Sequence, residues 1–155
     1  MPDFTREEIE AVVRVSQKFA KADLAGIDLS SANLFGVGFW MANLKGAILR
    51  EANLRWANLS GADLTRANLQ RAYLTGADLT RAHLRGANLQ QAYLSGVNLS
   101  GADLTKADLR GAHLRWAILR WTILRGTNLH GASYSKDTML PVGFDPEEAG
   151  MVLVL

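Results

Sequence analysis

From Leu24 to Leu129 a leucine stands at every fifth position, with Phe39 as the only substitution. Leu fills 21 of the 22 slots, Ala stands two places earlier in 17 of them, and Asp or Asn occupies the slot between in 14. Ala62-Asp63-Leu64-Thr65-Arg66 and Ala87-Asn88-Leu89-Gln90-Gln91 show the unit. A period of five fits neither regular element. On an α-helix, at about 100° per residue, successive leucines would wander round the axis by about 140° a step. On a straight strand an odd period throws them onto opposite faces, which cannot build a one-sided core. The pattern closes only if the chain turns a corner every five residues, with Leu and the preceding Ala pointing in and the other three side chains pointing out. Four such corners make a square coil of twenty residues.

Stacked coils would satisfy their backbone groups from the coil above and the coil below, at the roughly 4.8 Å spacing of paired strands. Twenty-two units then give 5.5 coils and a rod about 26 Å long. Ala is small enough for the close approach at the bend, and each inward Leu stabilises the stack by about 1.5–3 kcal/mol. Gly closes 11 of the 22 units, and Asp or Asn precedes the Leu, residue types suited to turns with unusual dihedrals or side-chain-to-backbone bonds.

Residues twenty apart should stack and so should avoid like charges. No two of Asp23, Asp28, Asp63, Asp78, Asp103 and Asp108 are twenty apart, and Glu51 falls beneath Arg71, an opposite pair. The same register stacks Tyr73 on Tyr93 with His113 beyond, and sets His83 between Asp63 and Asp103.

This A(D/N)LXX pattern, unbroken over residues 22–131, resembles the pentapeptide repeat family. The resemblance implies an all-β solenoid, a right-handed quadrilateral β-helix, often bacterial and in most members without an assigned activity. The expected organisation is an N-terminal capping helix (1–21), the β-helix of about 5.5 coils (22–131) and a C-terminal capping tail (132–155). Thr5-Arg6-Glu7-Glu8 fits a capping box opening a helix from about Arg6 to Ala20, with Ile9, Val12, Val13, Ser16 and Phe19 or Ala20 near one face. Asp145-Pro146-Glu147-Glu148-Ala149-Gly150 reads as a single capped helical turn, and the apolar Met151–Leu155 should fold back on the rod or meet a second copy. Residues 137–151 resemble tails that follow such repeats in photosynthetic bacteria.

The chain has no cysteine, so disulfides, thiolate metal sites and cysteine nucleophiles are excluded. No apolar run reaches the roughly 18–20 residues of a membrane span, and the first twenty residues lack a signal peptide's apolar core, so a cytoplasmic protein is expected. A filled rod offers no cleft for an acid, base or nucleophile; no catalytic residue, cofactor or metal site is expected, and His83, His113 and His130 fall on three different sides.

One feature of the outer surface breaks the polar pattern. In the last coil Arg110, Arg115, Arg120 and Arg125 put one arginine on each side, beside Trp116, Ile118, Trp121 and Ile123, a composition enriched at protein interfaces. Either the tail covers this belt, or it binds a second copy or a protein partner. Residues 22–131 hold twelve basic and seven acidic side chains, a net charge of +5, scattered round the rod, so nucleic-acid binding is not expected. The best-known activity implied by the resemblance is protection of DNA gyrase from quinolones by an acidic, duplex-mimicking rod; a basic rod argues against it. A noncatalytic interaction scaffold is the expected function.

Overall fold

The computed structural model describes residues 2–13 and 19–155. From Asp23 onward each residue in the slot before Leu pairs in parallel with the residue twenty positions later, and this continues along all four sides. The spacing leaves only short flat segments between corners, so pairing is confined to single residues. One regular two-residue pair closes the C-terminal end: β1 (Ser133–Tyr134) beside β2 (Val152–Leu153). Among the described residues no helix is long and apolar enough to cross a membrane.

Three kinds of hydrogen bond hold the square. The first closes each corner, where the Ala N–H donates to the carbonyl of the Leu three residues back, at 2.9–3.2 Å. The second runs between coils: Leu64 N–H donates to the His83 carbonyl at 2.7 Å, and His83 N–H to the Ala62 carbonyl at 2.9 Å. The third explains Asp and Asn. In all fourteen units that carry one, its Oδ1 accepts the N–H two residues on, as Asp63 does from Thr65 at 3.0 Å, so an amide at the corner that neither coil can reach is satisfied locally.

The last slot of each unit is the third residue of the corner and sits at positive φ, 64–69° for the eleven glycines there and 55–59° for the eleven residues with side chains, as for Lys21 just before the first unit. A type II turn demands this region at that place, and an L residue loses about 1–2 kcal/mol by entering it. The conformation is held because the same residue donates to the coil above, as Trp56 N–H does to the Thr75 carbonyl at 3.1 Å. A long side chain in this slot leans along the axis over the unit above, where a glycine commonly makes room. Trp56 lies over Gly76 so closely that a Cβ there would meet its ring at 2.7 Å; Arg66, Arg81, Gln91 and Lys106 lie over Gly86, Gly101, Gly111 and Gly126.

Inside, the leucines from Leu24 to Leu119 and Phe39 are buried against the alanines in one continuous core. At the N-terminus the capping box forms as written in the residues: Thr5 N–H donates to Glu8 Oε2 at 2.7 Å and Glu8 N–H to Thr5 Oγ1 at 3.2 Å. Helix α1 spans Arg6–Val13, with Ile9 fully buried. It does not run to Ala20: Phe19 N–H already donates to the Gly38 carbonyl at 2.8 Å, so residue 19 belongs to the coil. The side chains of Val12, Val13 and Ser16, expected on the inner face, lie outside the described residues. Phe4 meets Phe19 edge to face at 5.3 Å, and Phe19 meets Phe39 at 5.7 Å, extending the axial core downward.

At the other end pairing outlasts residue 131. Ser133 pairs with His113, and Met139 with Ile118, a step of 21 instead of twenty. Asp145 Oδ1 accepts the amides of Glu147 and Glu148, forming the expected turn, and Met151–Leu155 folds back: Gly131 N–H donates to the Gly150 carbonyl and Val152 N–H to that of Ala132, both at 2.8 Å.

The Trp56–Gly76 contact gives a direct test. Gly76 and Gly96 share the same backbone region, but nothing lies within 4 Å of a Cβ at Gly96. Gly96→Ala should lower stability by about 1 kcal/mol from backbone strain alone. Gly76→Ala should cost about 2–3 kcal/mol, with the excess removed in the Trp56→Ala background, as read from urea unfolding of the four variants.

Candidate functional site

The four sides can be named by their ladders. The Tyr73 side stacks Asn33, Asn53, Tyr73, Tyr93, His113 and Ser133; the Asp78 side runs from Gly38 to Ile118 and Met139; the His83 side from Asp23 to Ile123; the Asn88 side from Asp28 to Asn128. The expected belt is thereby distributed. Arg110 lies on the Asn88 side, Arg115 and Trp116 on the Tyr73 side, Ile118, Arg120 and Trp121 on the Asp78 side, Ile123 and Arg125 on the His83 side. His83, His113 and His130 fall on three sides, and among the described residues no three His, Asp or Glu converge as metal ligands.

The belt residues have different surroundings. Arg110 is held by Asp108, Nη2 to Oδ2 at 2.7 Å. Ile118 is half-buried beneath the tail at Met139. The Arg115 guanidinium lies 4.5 Å over the Trp116 ring, and its Nε is buried without an acceptor. Trp121 is 78% exposed and Ile123 51% exposed, beside the exposed Arg120 and Arg125.

The tail answers in part whether the belt is covered. It pairs along the Tyr73 side and reaches Ile118, then cuts across the end of the rod and rejoins at Gly131. Between these points the N–H groups of Trp121, Leu124, Gly126 and Leu129 find no acceptor among the described residues, whereas one coil lower Gly101 N–H reaches the Arg120 carbonyl at 3.0 Å. This open edge carries Trp121 and Ile123. A half-open groove of about 660 Å³ lies beside it, lined by Arg120, Trp121 and Met139–Val142; a smaller one of about 310 Å³ flanks Trp121 at Thr80, Arg81, Ser100 and Gly101. Met139–Val142 is absent from the belt read from the repeat. Its signal is Thr138-Met139-Leu140, an Ala-x-Leu unit displaced by one inserted residue.

Besides Arg6–Glu10 within α1, the ion pairs among the described residues form on two sides. Lys45 reaches Asp63 at 3.2 Å and Arg85 reaches Asp103 at 3.7 Å on the His83 side; Glu51 holds Arg71 at 3.9 Å, and Asp108 holds Arg110, on the Asn88 side. Four aspartates are more acidic than usual. At Asp28 and Asp108 the main cause is a side-chain hydrogen bond, from Ser30 and Arg110 respectively. At Asp63 and Asp103 burial raises the pKa, but the hydrogen bonds from Thr65 and Thr105 together with the nearby cations Lys45 and Arg85 outweigh it. Because the folded pKa values lie below the unfolded ones, their contribution is complete above the ordinary range near 3.9 and is lost as pH falls through the lowered values. Unfolding midpoints in denaturant should therefore hold steady from pH 7 to about 5 and drop below about 4. Changing all four to Asn, which keeps the acceptor for the corner amide, should flatten that acid limb.

The pentapeptide repeat family model matches in eight copies over residues 18–51, 47–86 and 82–120, two thirds of the chain. The chain belongs to the pentapeptide repeat family. Members of this family form right-handed quadrilateral β-helices, in accord with the twenty-residue register seen here. Among solved structures it is similar to Rfr23 of the cyanobacterium Cyanothece 51142, at 26% identity over 86% of this chain and 98% of that one, with a TM-score of 0.57. A pentapeptide repeat protein of the Arabidopsis thaliana thylakoid lumen is 32% identical over 90% of this chain and 75% of its own, with a TM-score of 0.37. QnrB1, a plasmid-mediated fluoroquinolone resistance protein, is 18% identical over 88% of this chain and 77% of its own, with a TM-score of 0.50, a likeness of fold alone. No curated protein matches the chain.

Proposed function

We propose that this pentapeptide repeat protein is a noncatalytic scaffold that docks a protein partner, or a second copy of itself, at its C-terminal end. In this reading the helix α1 and the tail close a coil of about 5.5 turns. Pentapeptide repeat proteins are generally scaffolds and not enzymes, and the rod's axis is filled by Leu and Ala. The observation that carries the proposal is the pairing of exposed Trp121 and Ile123, beside Arg120 and Arg125, with a backbone edge where the amides of Trp121, Leu124, Gly126 and Leu129 find no acceptor among the described residues. Large apolar side chains, arginines and an open edge supply the burial, the charge and the main-chain bonds of a protein interface. A bacterial, cytoplasmic setting is part of the reading, its bacterial half supported by the likeness to Rfr23.

Gyrase modulation by duplex mimicry is the rival, and the charge of the repeat, +5 over residues 22–131, opposes it. The reading is tested by light scattering together with affinity capture from a cyanobacterial lysate, comparing the protein with a Trp121→Ser/Ile123→Ser variant. The expected result is a dimer, or a captured protein, that the variant loses. A monomer that captures nothing in either form would sink it, and inhibition of gyrase supercoiling at low concentration would favour the rival.

A further inference from the structure

Beyond the C-terminal end, and resting on the scaffold reading, the Tyr73 side stands apart from the other three. Its five units, 32–36, 52–56, 72–76, 92–96 and 112–116, contain no Asp or Glu, whereas each other side contains at least one. Its two arginines are held by aromatic rings: Arg55 lies 4.5 Å over Tyr73, and Arg115 lies 4.5 Å over Trp116. Among the described residues, each ion pair within the rod falls on the His83 or Asn88 side. Among the described residues the arginines of the Tyr73 side thus have no ion-pair partner: Arg55 Nη1 donates to the neutral Asn53 Oδ1 at 3.3 Å, and Arg115 retains a buried Nε with no acceptor.

Between them runs a continuous stack, Tyr73 on Tyr93 at 4.9 Å and Tyr93 on His113 at 5.1 Å. Trp56 and Trp116, 64% and 50% exposed, stand at the two ends, three coils or about 14 Å apart. The gap between them is floored by Gly96, where nothing lies within 4 Å of a Cβ position. Trp, Tyr and Arg are the residues that dominate binding energy at protein interfaces, and here they share one rigid face.

We propose that this face docks an acidic segment of a partner protein, with carboxylates on Arg55 and Arg115 and an apolar side chain in the Gly96 gap between the tryptophans. Charge complementarity selects the occupant. The stack argues against single-stranded nucleic acid, because the ring faces that would take bases are already covered by one another. Two arginines about 14 Å apart are also too few for duplex backbone binding, which scales with the number of phosphates neutralised.

The probe is a library of random twelve-residue peptides displayed on phage, panned against the full chain, with the best peptide then synthesised and titrated by fluorescence anisotropy. Enrichment of peptides containing several Asp or Glu with at least one large apolar residue is expected. Arg55→Glu/Arg115→Glu should weaken the synthesised peptide at least tenfold, and Trp56→Ala several-fold. Arg50→Glu/Arg66→Glu, on other sides, should change it less than twofold, with far-ultraviolet dichroism unchanged throughout. No enrichment, enrichment of neutral or basic peptides, or binding indifferent to Arg55 and Arg115 would overturn the proposal. Tighter binding of a twenty-nucleotide single strand or duplex than of the peptide would do so too. Peptide binding that survives Trp121→Ser/Ile123→Ser but not Arg55→Glu/Arg115→Glu separates this face from the C-terminal site, so either can fail alone.

Discussion

The five-residue corner governs the rest of the molecule. Each corner needs a residue at positive φ, a small residue where the chain bends back and an acceptor for an amide that no neighbouring coil can reach. Gly or a strained L residue meets the first need, Ala the second, and Asp or Asn the third. Leu is then the side chain that fills the axis when four such corners close. None of these features is stable alone: the positive-φ residues are held by bonds to the coil above, and those bonds exist only because the axis is packed. The rod is cooperative between neighbouring coils and indifferent beyond them.

Much of this was legible because the inward slots repeat. The register of twenty, the Glu51–Arg71 pair and the Tyr73–Tyr93–His113 stack all follow from one periodicity, and the structure reproduces them. Legibility fails where the repeat ends. Helical periodicity carries the helix to Ala20, but Phe19 is drawn into the coil by its bond to Gly38 and its burial over Phe39, a tertiary contact that periodicity cannot register. At the other end the unit Thr138-Met139-Leu140 was hidden by one inserted residue, and with it the wall of the groove beside Trp121. The leaning of Trp56 over Gly76 was equally hidden, because it depends on the direction in which a positive-φ residue sends its side chain.

The outward slots divide into those the fold requires and those it leaves free. Where Asp or Asn precedes the Leu, the corner amide is capped. Tyr73, Tyr93 and His113 stand where Asp or Asn would be and cannot supply that cap to the amides of Thr75, Ser95 and Arg115. A lost hydrogen bond of this kind costs about 0.5–1.5 kcal/mol, and a stacked aromatic pair returns about 0.5–1.5 kcal/mol. The exchange is close to neutral, so stability alone does not choose the aromatic ladder over another run of asparagines.

The same reasoning bears harder on Trp56 and Trp116. Both occupy the positive-φ slot, at 59° and 58°, where glycine would avoid the strain, and both leave half or more of a large apolar surface in water. A stacked neighbour does not compensate Trp116, whose ring supports the arginine beside it and leaves that arginine's Nε without an acceptor. Backbone strain, apolar exposure and a guanidinium nitrogen without an acceptor thus coincide on the one side of the rod whose repeat units hold no acidic residue. A face assembled against the preferences of its own fold is where an interaction outside the fold is most economically sought.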